Sequence, residues 1–210
     1  MPARDADYME KERRKIAGAT YEAALEKGLA GTSLRDICNR AGVSMGGFYV
    51  HFKSKDEAIV AAFYLVREQA DRPVIESWQA LAKYLRTIIE EATTSPRRRR
   101  ETRLFYEYLG SALRGDGDPG SRYQSSEESL RWWKEQLDPL HSSGELQLPL
   151  GLNASAQACY YCFMGVLHVI AMEPKIDARA AVNTNITALE LMLGYQETRT
   201  DRRLKPDGRR

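Results

Sequence analysis

Between residues 32 and 55 the hydrophobic and polar positions follow two short helical repeats separated by a glycine-containing turn. In the first repeat the apolar residues recur at i, i+3, i+4 and i+7, which places them on one helix face. They are Leu34, Ile37, Cys38 and Ala41. Ser33, with Asp36 three positions later, forms a capping-box pattern that predicts the start of this helix. Gly42 follows its last apolar position, where a left-handed residue ends many helices.

The second repeat begins after Ser44, a residue that favours a helix N-cap. Phe48 and Phe52 lie one helical turn apart, so we expect both rings to face inward. The turn over residues 41–44 is too short for the two helices to pack antiparallel, and they are expected to cross instead. In a helix-turn-helix unit the second helix enters the major groove of DNA. The pattern therefore indicates a DNA-binding protein.

The rest of the chain is also helical in pattern, and strand-like alternation is nearly absent. The sequence predicts helices over about 10–27, 55–73, 74–92, 96–113, 125–141, 153–172 and 177–195. Gly28 is the predicted stop of the first of them. Residues 115–120 are the strongest loop signal, and residues 142–152 form a predicted linker. These observations indicate an all-α fold.

Composition limits the kind of DNA binding and the compartment. The 210 residues carry a formal net charge of only +2. Phosphate affinity must then depend on where the cations lie, which disfavours a non-specific DNA-coating protein. Three cysteines cannot all pair within one chain, which favours a reducing compartment. We find neither a signal-peptide core nor an apolar run of about 18 residues; residues 159–172 are the longest candidate and contain His168. A cytoplasmic protein without membrane contact is expected.

The N-terminal motif resembles the DNA-binding domain of the TetR family of transcriptional regulators. The match lies in Ala41-Gly-Val-Ser, Gly46, Tyr49, His51-Phe52 and Lys55, preceded by Ile16-Ala-Gly-Ala, Gly28 and Thr32-Ser-Leu-Arg-Asp-Ile. The resemblance implies a three-helix DNA-binding domain over residues 1–55 and a larger helical ligand-binding and dimerisation domain over residues 56–195. We expect residues 196–210 to be a disordered polar tail. The resemblance further implies a dimeric repressor that a small apolar or aromatic ligand releases from a palindromic operator, with no enzymatic activity and no cofactor.

The resemblance assigns phosphate contacts to Tyr49, His51 and Lys55. Polar side chains at the predicted helix starts could add further phosphate bonds, namely Thr32, Ser33 and Ser44. Base reading falls to Arg35, Met45, Gly46, Gly47 and Val50. Only Arg35 in this set can make the bidentate contact to guanine. We therefore expect DNA shape and apolar contacts to supply much of the specificity.

Aromatic residues concentrate beyond residue 60, where they could line the effector pocket that the resemblance implies. The candidates are Trp78, Tyr106, Trp132, Phe163 and His168. Each aromatic side chain could equally be ordinary core. For His168, which lies on a strongly apolar helix, a hydrogen-bonded interior histidine is favoured over a ligand contact.

Small residues on the last two predicted helices would allow close helix packing between subunits. They are Ala158, Gly165, Ala181 and Ala188. The resemblance places a four-helix dimer interface there. A dimer would present two recognition helices about 34 Å apart, one DNA turn.

Two features remain open at this level. Cys159, Cys162 and His168 could belong to a thiol- or metal-using enzyme or sensor. The sequence holds no second ligand pair with site-like spacing, so small apolar filler is the favoured interpretation of both thiols and no metal site is expected. Arg97–Arg100 place four cations at a predicted helix start, against the helix dipole. They are either a solvated helix face or an anion contact.

Overall fold

A computed structural model describes residues 2–69, 73, 75–113, 119–173 and 175–196, without the side chains of 2–5, 112, 113 and 119–125. The described residues form helices joined by short connections, which confirms the all-α prediction. The helices are α1 (Pro2–Gly31), α2 (Leu34–Ala41), α3 (Met45–His51), α4 (Lys55–Glu68), α5 (Trp78–Thr94), α6 (Pro96–Leu113), α7 (Pro119–Ser142), α8 (Gly151–Met172) and α9 (Ala178–Leu193). Among the described residues, a single antiparallel β-bridge joins Leu146 and Tyr195.

The chain divides into two packing units, and the first holds α1 to α4 with residues 100–113 of α6. The small-residue face of α1 packs on α4 and α2, because Ile16, Ala17 and Ala24 are buried. Ile37, Phe48 and Phe52 complete the core beneath the helix-turn-helix. Here α4 packs with α1, whereas the sequence-based boundary at residue 55 separated them.

Helix α1 contains a kink at Gly28, where the sequence predicts the helix stop. Gly28 has φ 74° and ψ 165°, which no helical residue adopts and which only glycine reaches without strain. The regular helix therefore ends there, and Leu29–Gly31 form a separate short turn. This turn leads directly into the N-cap of α2 at Ser33.

The second unit holds α5, α8, α9, the first turn of α6 and α7 from residue 124. Its largest core cluster surrounds Trp78, Leu85 and Trp133, and the last turns of α9 close it with Leu189 and Leu193. The connection before α8 is held by the backbone N–H groups of Gln147 and Leu148, which both donate to Leu193 O.

Several sequence-based boundaries shift in the structure. Helix α7 begins at Pro119, inside the predicted loop 115–120, and continues through Pro139 to Ser142. Pro139 has no N–H to donate to the carbonyl group of residue 135, so one helical hydrogen bond is missing there and the helix ends within the following turn. Residues 115–118 of that loop and residues 197–210 of the predicted tail lie outside the described residues.

Helix α8 is unusually apolar. Among the described helices it alone is long and apolar enough, by length and composition, to cross a membrane. Much of its apolar surface is exposed in the single chain, including Tyr161, Val169 and Met172.

Candidate nucleic-acid interface

Helix α2 has the local contacts that its sequence predicts. Ser33 Oγ accepts from Asp36 N at 3.2 Å, and Asp36 Oδ2 accepts from Ser33 N at 2.9 Å, which completes the capping box. Gly42 ends the helix with φ 65° in the left-handed region. Lys27, followed by Ser33, holds the pKa of the Asp36 carboxyl well below its usual range by hydrogen bonding. The cap is therefore charged at neutral pH.

Helix α3 separates buried from exposed aromatic residues in one turn. Phe48 is fully buried, and its ring packs 5.6 Å from that of Phe52. Met45, Tyr49 and Val50 on the other side of the helix are 47%, 56% and 64% exposed. Such exposure of large apolar side chains on a short helix indicates a contact surface rather than a solvated face.

The base-reading candidates share this exposed face, apart from Arg35. Gly46 is exposed and Gly47 half-buried, and Ser44 Oγ caps the helix by accepting from Gly47 N at 3.0 Å. Arg35 is exposed on α2 and makes no ion pair with a described residue. By contrast, Lys27 and Arg40 are paired with Asp36 and Glu26.

Thr32 was predicted to contact a phosphate, and its side chain cannot do so. Thr32 is only 2% exposed, and its hydroxyl donates to Gly28 O at 2.7 Å. Because the hydroxyl is buried and its hydrogen already donated, the Thr32 side chain cannot reach a phosphate. Ser33 is exposed, but its hydroxyl donates to Asp36 Oδ2 at 2.6 Å within the capping box.

Lys55 is already engaged within the protein. Its Nζ donates to Thr32 O at 3.1 Å and, more weakly, to Leu29 O at 3.4 Å. An ammonium group carries three donors, so one remains for a phosphate. The half-buried Lys55 thus contacts the end of α1 in addition to any role at DNA.

Arg13 holds the end of α3, a role that the sequence analysis missed. Its guanidinium lies 4.2 Å from the centroid of the Phe52 ring, donates to His51 O and pairs with Glu57 at 3.0 Å. A cation at a helix C-terminus satisfies carbonyl groups that lack helical partners. The i, i+4 pattern of α1 gave no signal for this contact, which spans 38 residues.

Glu57 links this contact to the start of α4. Its Oε2 accepts from Lys53 N at 2.8 Å, and that bond, together with Arg13, lowers the pKa of the Glu57 carboxyl despite partial burial. Glu107 on α6 makes a second contact that the sequence did not reveal: its Oε2 accepts from Leu29 N at 3.0 Å.

The comparison with known proteins agrees with this geometry. Residues 16–62, which contain the whole helix-turn-helix, match the model of the bacterial regulatory proteins, tetR family. Over these residues the chain carries a DNA-binding domain of the tetR family type. Members of this family are DNA-binding regulators and not enzymes, as the sequence predicts.

Curated proteins that are similar to this chain are transcriptional regulators. It is 30% identical over 107 residues to the HTH-type transcriptional regulator PksA of Bacillus subtilis, covering 49% of this chain and 52% of PksA. It is 26% identical over 114 residues to TtgR of Pseudomonas putida, covering 50% of this chain and 54% of TtgR. The chain thus spans about half the length of these curated relatives.

Solved structures extend the likeness to both units at the level of the fold. NalD of Pseudomonas aeruginosa, the secondary repressor of a multidrug efflux pump, superposes with a TM-score of 0.60 at 18% identity, covering 88% of this chain and 97% of NalD. Salmonella enterica GusR gives a TM-score of 0.63 at 19% identity, covering 88% of this chain and 96% of GusR.

The predicted pocket residues do not converge. Trp78 is 1% exposed and its Nε1 donates to Glu190 Oε1 at 3.0 Å, so it is core of the second unit. Tyr106 lies in the part of α6 that belongs to the first unit. His168 is exposed, so the interior position expected for it is wrong. The reason is that α8 turns much of its apolar surface outward.

Trp132 and Phe163, by contrast, belong to one aromatic cluster. The ring of Trp133 lies 5.1 Å from that of Trp132 and 6.2 Å from that of Phe163, and Tyr84 extends the cluster to α5. Asn185 of α9 is 6% exposed, and its Nδ2 donates at 3.4 Å to the backbone oxygen of Cys162, the residue before Phe163. Its Oδ1 is buried without a hydrogen-bond partner among the described residues. The sequence analysis did not single out this asparagine.

Cys159 is poorly suited to nucleophilic chemistry. Burial, followed by the neighbouring Cys162, raises the pKa of Cys159 to about 12. The thiol is therefore un-ionised at neutral pH, whereas a nucleophile or metal ligand requires the thiolate. The described residues contain no cluster of His, Cys, Asp and Glu side chains able to hold a metal ion.

The four small residues predicted for the subunit interface lie at or near the surface of the second unit. Gly165 and Ala188 are exposed, and Ala158 and Ala181 are half-buried. A Cβ atom added at Gly165 would contact nothing within 4 Å in the single chain.

The arginine run is partly engaged. Arg98 Nε donates to Glu91 at 3.1 Å, and Arg99 donates to Thr93 O at 2.5 Å across the α5–α6 junction. These contacts satisfy the end of α5 and favour a structural role for these two cations.

Proposed function

We propose that this chain is a dimeric transcriptional repressor that binds a palindromic operator through α3 and leaves it when a small apolar or aromatic ligand binds. The observation that carries the proposal is the exposed face of α3, with Met45, Tyr49 and Val50 outward and Phe48 in the core. The tetR-family match over residues 16–62 supports the same conclusion.

Within this proposal, base reading is mainly apolar. Met45 and Val50 can contact thymine methyl groups, and the pair Gly46–Gly47 lets the backbone approach the groove. Arg35 supplies the bidentate contact to guanine, since its guanidinium is exposed and free of ion pairs with described residues. Phosphates are contacted by Tyr49, His51, Lys55 and Ser44. The Ser44 hydroxyl can donate to a phosphate while it accepts the capping bond of α3. Ser33 can add a phosphate bond only by releasing Asp36.

The dimer is proposed through α8 and α9. Helix α8 leaves Tyr161, Val169 and Met172 exposed, and α9 leaves Leu191 78% exposed. A second subunit would bury these side chains, and exposed Gly165 and Ala188 would let helices approach closely. Burial in a dimer accounts for the apolar surface of α8 in a chain that works in the cytoplasm at DNA.

The effector site is proposed at the aromatic cluster of Trp132, Trp133 and Phe163. Asn185 supports a polar anchor there: Cys162 O can only accept, which fixes the amide orientation and leaves Oδ1 as a buried acceptor. A ligand that combines an aromatic body with one hydrogen-bond donor would fit these groups. The proposed site does not include Trp78, Tyr106 or His168.

Operator binding tests the proposal directly. A duplex is selected in vitro with the wild-type chain, and its affinities are measured against all single-base variants. Tyr49→Phe removes a phosphate donor and should weaken binding about uniformly, whereas Arg35→Ala should relax the preference at one position per half-site. The uniform loss on Tyr49→Phe serves as the control for Arg35→Ala. Unchanged relative affinities in Arg35→Ala would exclude its base-reading role, and no selected duplex at all would refute the repressor proposal.

A further inference from the structure

The kink of α1 is held on both sides by charged side chains from other helices. Glu107 of α6 accepts from the Leu29 N–H at 3.0 Å. Lys55 of α4 donates to Leu29 O at 3.4 Å and to Thr32 O at 3.1 Å. A carboxylate and an ammonium group therefore bind the N–H and the C=O of the same residue.

Gly28 makes the close approach of Glu107 possible. A Cβ atom at this position would lie 3.2 Å from Glu107 Oε2, tighter than ordinary van der Waals contact. The φ of 74° at Gly28 also interrupts the helix directly before Leu29. At this interruption the Leu29 N–H donates to the Glu107 carboxylate.

The held segment lies directly before the helix-turn-helix. Thr32 donates its hydroxyl back to Gly28 O at 2.7 Å, and Ser33 is the N-cap of α2. Only Ala30 and Gly31 lie between Leu29 and Thr32, so the position of Leu29 limits where α2 can begin. Helix α2 in turn sets the direction of α3 through the turn at Gly42.

We propose that Glu107 and Lys55 form a clamp on Leu29 that positions α2 and α3 for operator binding, with Glu107 as a positioning residue that never touches DNA. The inference rests on the proposed function for its effect on DNA and on geometry alone for its effect on α2. It makes α6 a determinant of operator affinity through one carboxylate.

The charge of Glu107 allows the clamp to be distinguished from a simple electrostatic effect on DNA binding. Loss of an acidic side chain near DNA strengthens phosphate attraction, so electrostatics alone predicts tighter binding for any Glu107 variant. The clamp predicts the opposite for Glu107→Ala, which leaves the Leu29 N–H without its acceptor. Glu107→Gln has the same charge as Glu107→Ala but keeps a carbonyl oxygen that can accept. Arg103→Ala, at an exposed position one turn earlier on α6, is the control for hydrogen exchange only, because it removes a charge of the opposite sign.

Two readouts are measured on the full chain. Amide hydrogen exchange should become about tenfold faster over residues 29–41 in Glu107→Ala and stay near wild type in Glu107→Gln and Arg103→Ala. Affinity for the duplex selected by the wild-type chain should fall about tenfold in Glu107→Ala, which corresponds to about 1.4 kcal/mol. In Glu107→Gln it should equal or exceed that of the wild type.

A double variant adds a check on the second arm of the clamp. Lys55→Met keeps the length of the stem and removes the donors, so it should also speed exchange over residues 29–41. Combined with Glu107→Ala, the two increases in exchange should be less than multiplicative, because both variants release the same segment.

The clamp is overturned if Glu107→Ala exchanges over residues 29–41 like wild type, or if it binds the duplex as tightly as Glu107→Gln. A wild-type chain that selects no duplex would instead refute the proposed function. The exchange measurement would then still decide whether Glu107 and Lys55 hold α2.

Discussion

Replacement of Phe48 by alanine separates the folding role of α3 from its DNA-facing role. Phe48 is fully buried among the helices of the first unit, with ring contacts to Phe52 at 5.6 Å and to Tyr49 at 5.5 Å. Removing a buried phenylalanine ring costs about 3–5 kcal/mol. The total free energy of unfolding of a domain is about 5–15 kcal/mol, so the first unit should lose a large part of its stability.

Tyr49 provides the matched control, since it is the next residue of the same helix and 56% exposed. Its edge contact with Phe48 contributes at most about 0.5–1.5 kcal/mol. Tyr49→Ala should therefore cost less than half of the free energy lost in Phe48→Ala, while it removes a proposed phosphate donor.

The free energy of unfolding of both variants is measured by urea unfolding, with far-ultraviolet circular dichroism as the probe. All three tryptophans lie in the second unit, so tryptophan fluorescence reports that unit separately. We expect Phe48→Ala to shift the circular dichroism transition of the first unit to lower urea and Tyr49→Ala to leave it nearly in place. A loss below about 1 kcal/mol in Phe48→Ala would contradict the assigned packing, since surface substitutions already reach about half that value.

The remaining predictions concern assembly, pH and the effector. Gly165→Asp places a charge on the proposed dimer face, so sedimentation should show folded monomers. These monomers should also have lost affinity for the operator duplex. A wild-type chain that is itself monomeric at micromolar concentration, both free and on DNA, would argue against the interface. Glu57→Gln should destabilise the first unit at pH 7, because the Lys53 N–H and Arg13 lower the pKa of the folded carboxyl and its stabilisation is present above the unfolded pKa. That difference should disappear as the pH falls through the folded pKa, and a difference that persists in acid would count against the charge as its cause. Phe163→Ala should keep the operator affinity of the free protein but lose the response to an aromatic compound that releases the wild type, measured by fluorescence anisotropy; wild-type sensitivity would remove Phe163 from the proposed site.

Local patterns in the sequence were sufficient for the helix-turn-helix. The Ser33–Asp36 capping box, left-handed Gly42 and the inward pair Phe48 and Phe52 all follow from contacts within a few residues. Periodicity of apolar positions identifies one helix face, and capping residues identify where a helix begins. For this reason the all-α class was also predictable.

Contacts between distant residues were not predictable from one sequence. Arg13 reaches His51 O, and Glu107 reaches Leu29 N across 78 residues, although neither position differs in pattern from other solvated charges. The same limit explains why the predicted pocket residues do not converge. Aromatic content alone grouped Trp78 with Trp132, whereas in the structure Trp78 is core and bonds to Glu190 and Trp132 belongs to the aromatic cluster.

Apolar periodicity and capping residues were enough to predict which segments are helical, where most of them start and which face of α3 is buried, because those properties depend on neighbours along the chain. Three features depend instead on how the helices pack: the Thr32 hydroxyl is buried, Lys55 donates to the end of α1, and His168 is exposed in the single chain. Each of these depends on which helix packs against which. A side chain's role at a site is set by the partners that packing brings within hydrogen-bond distance, and the periodicity of a single helix carries no record of them.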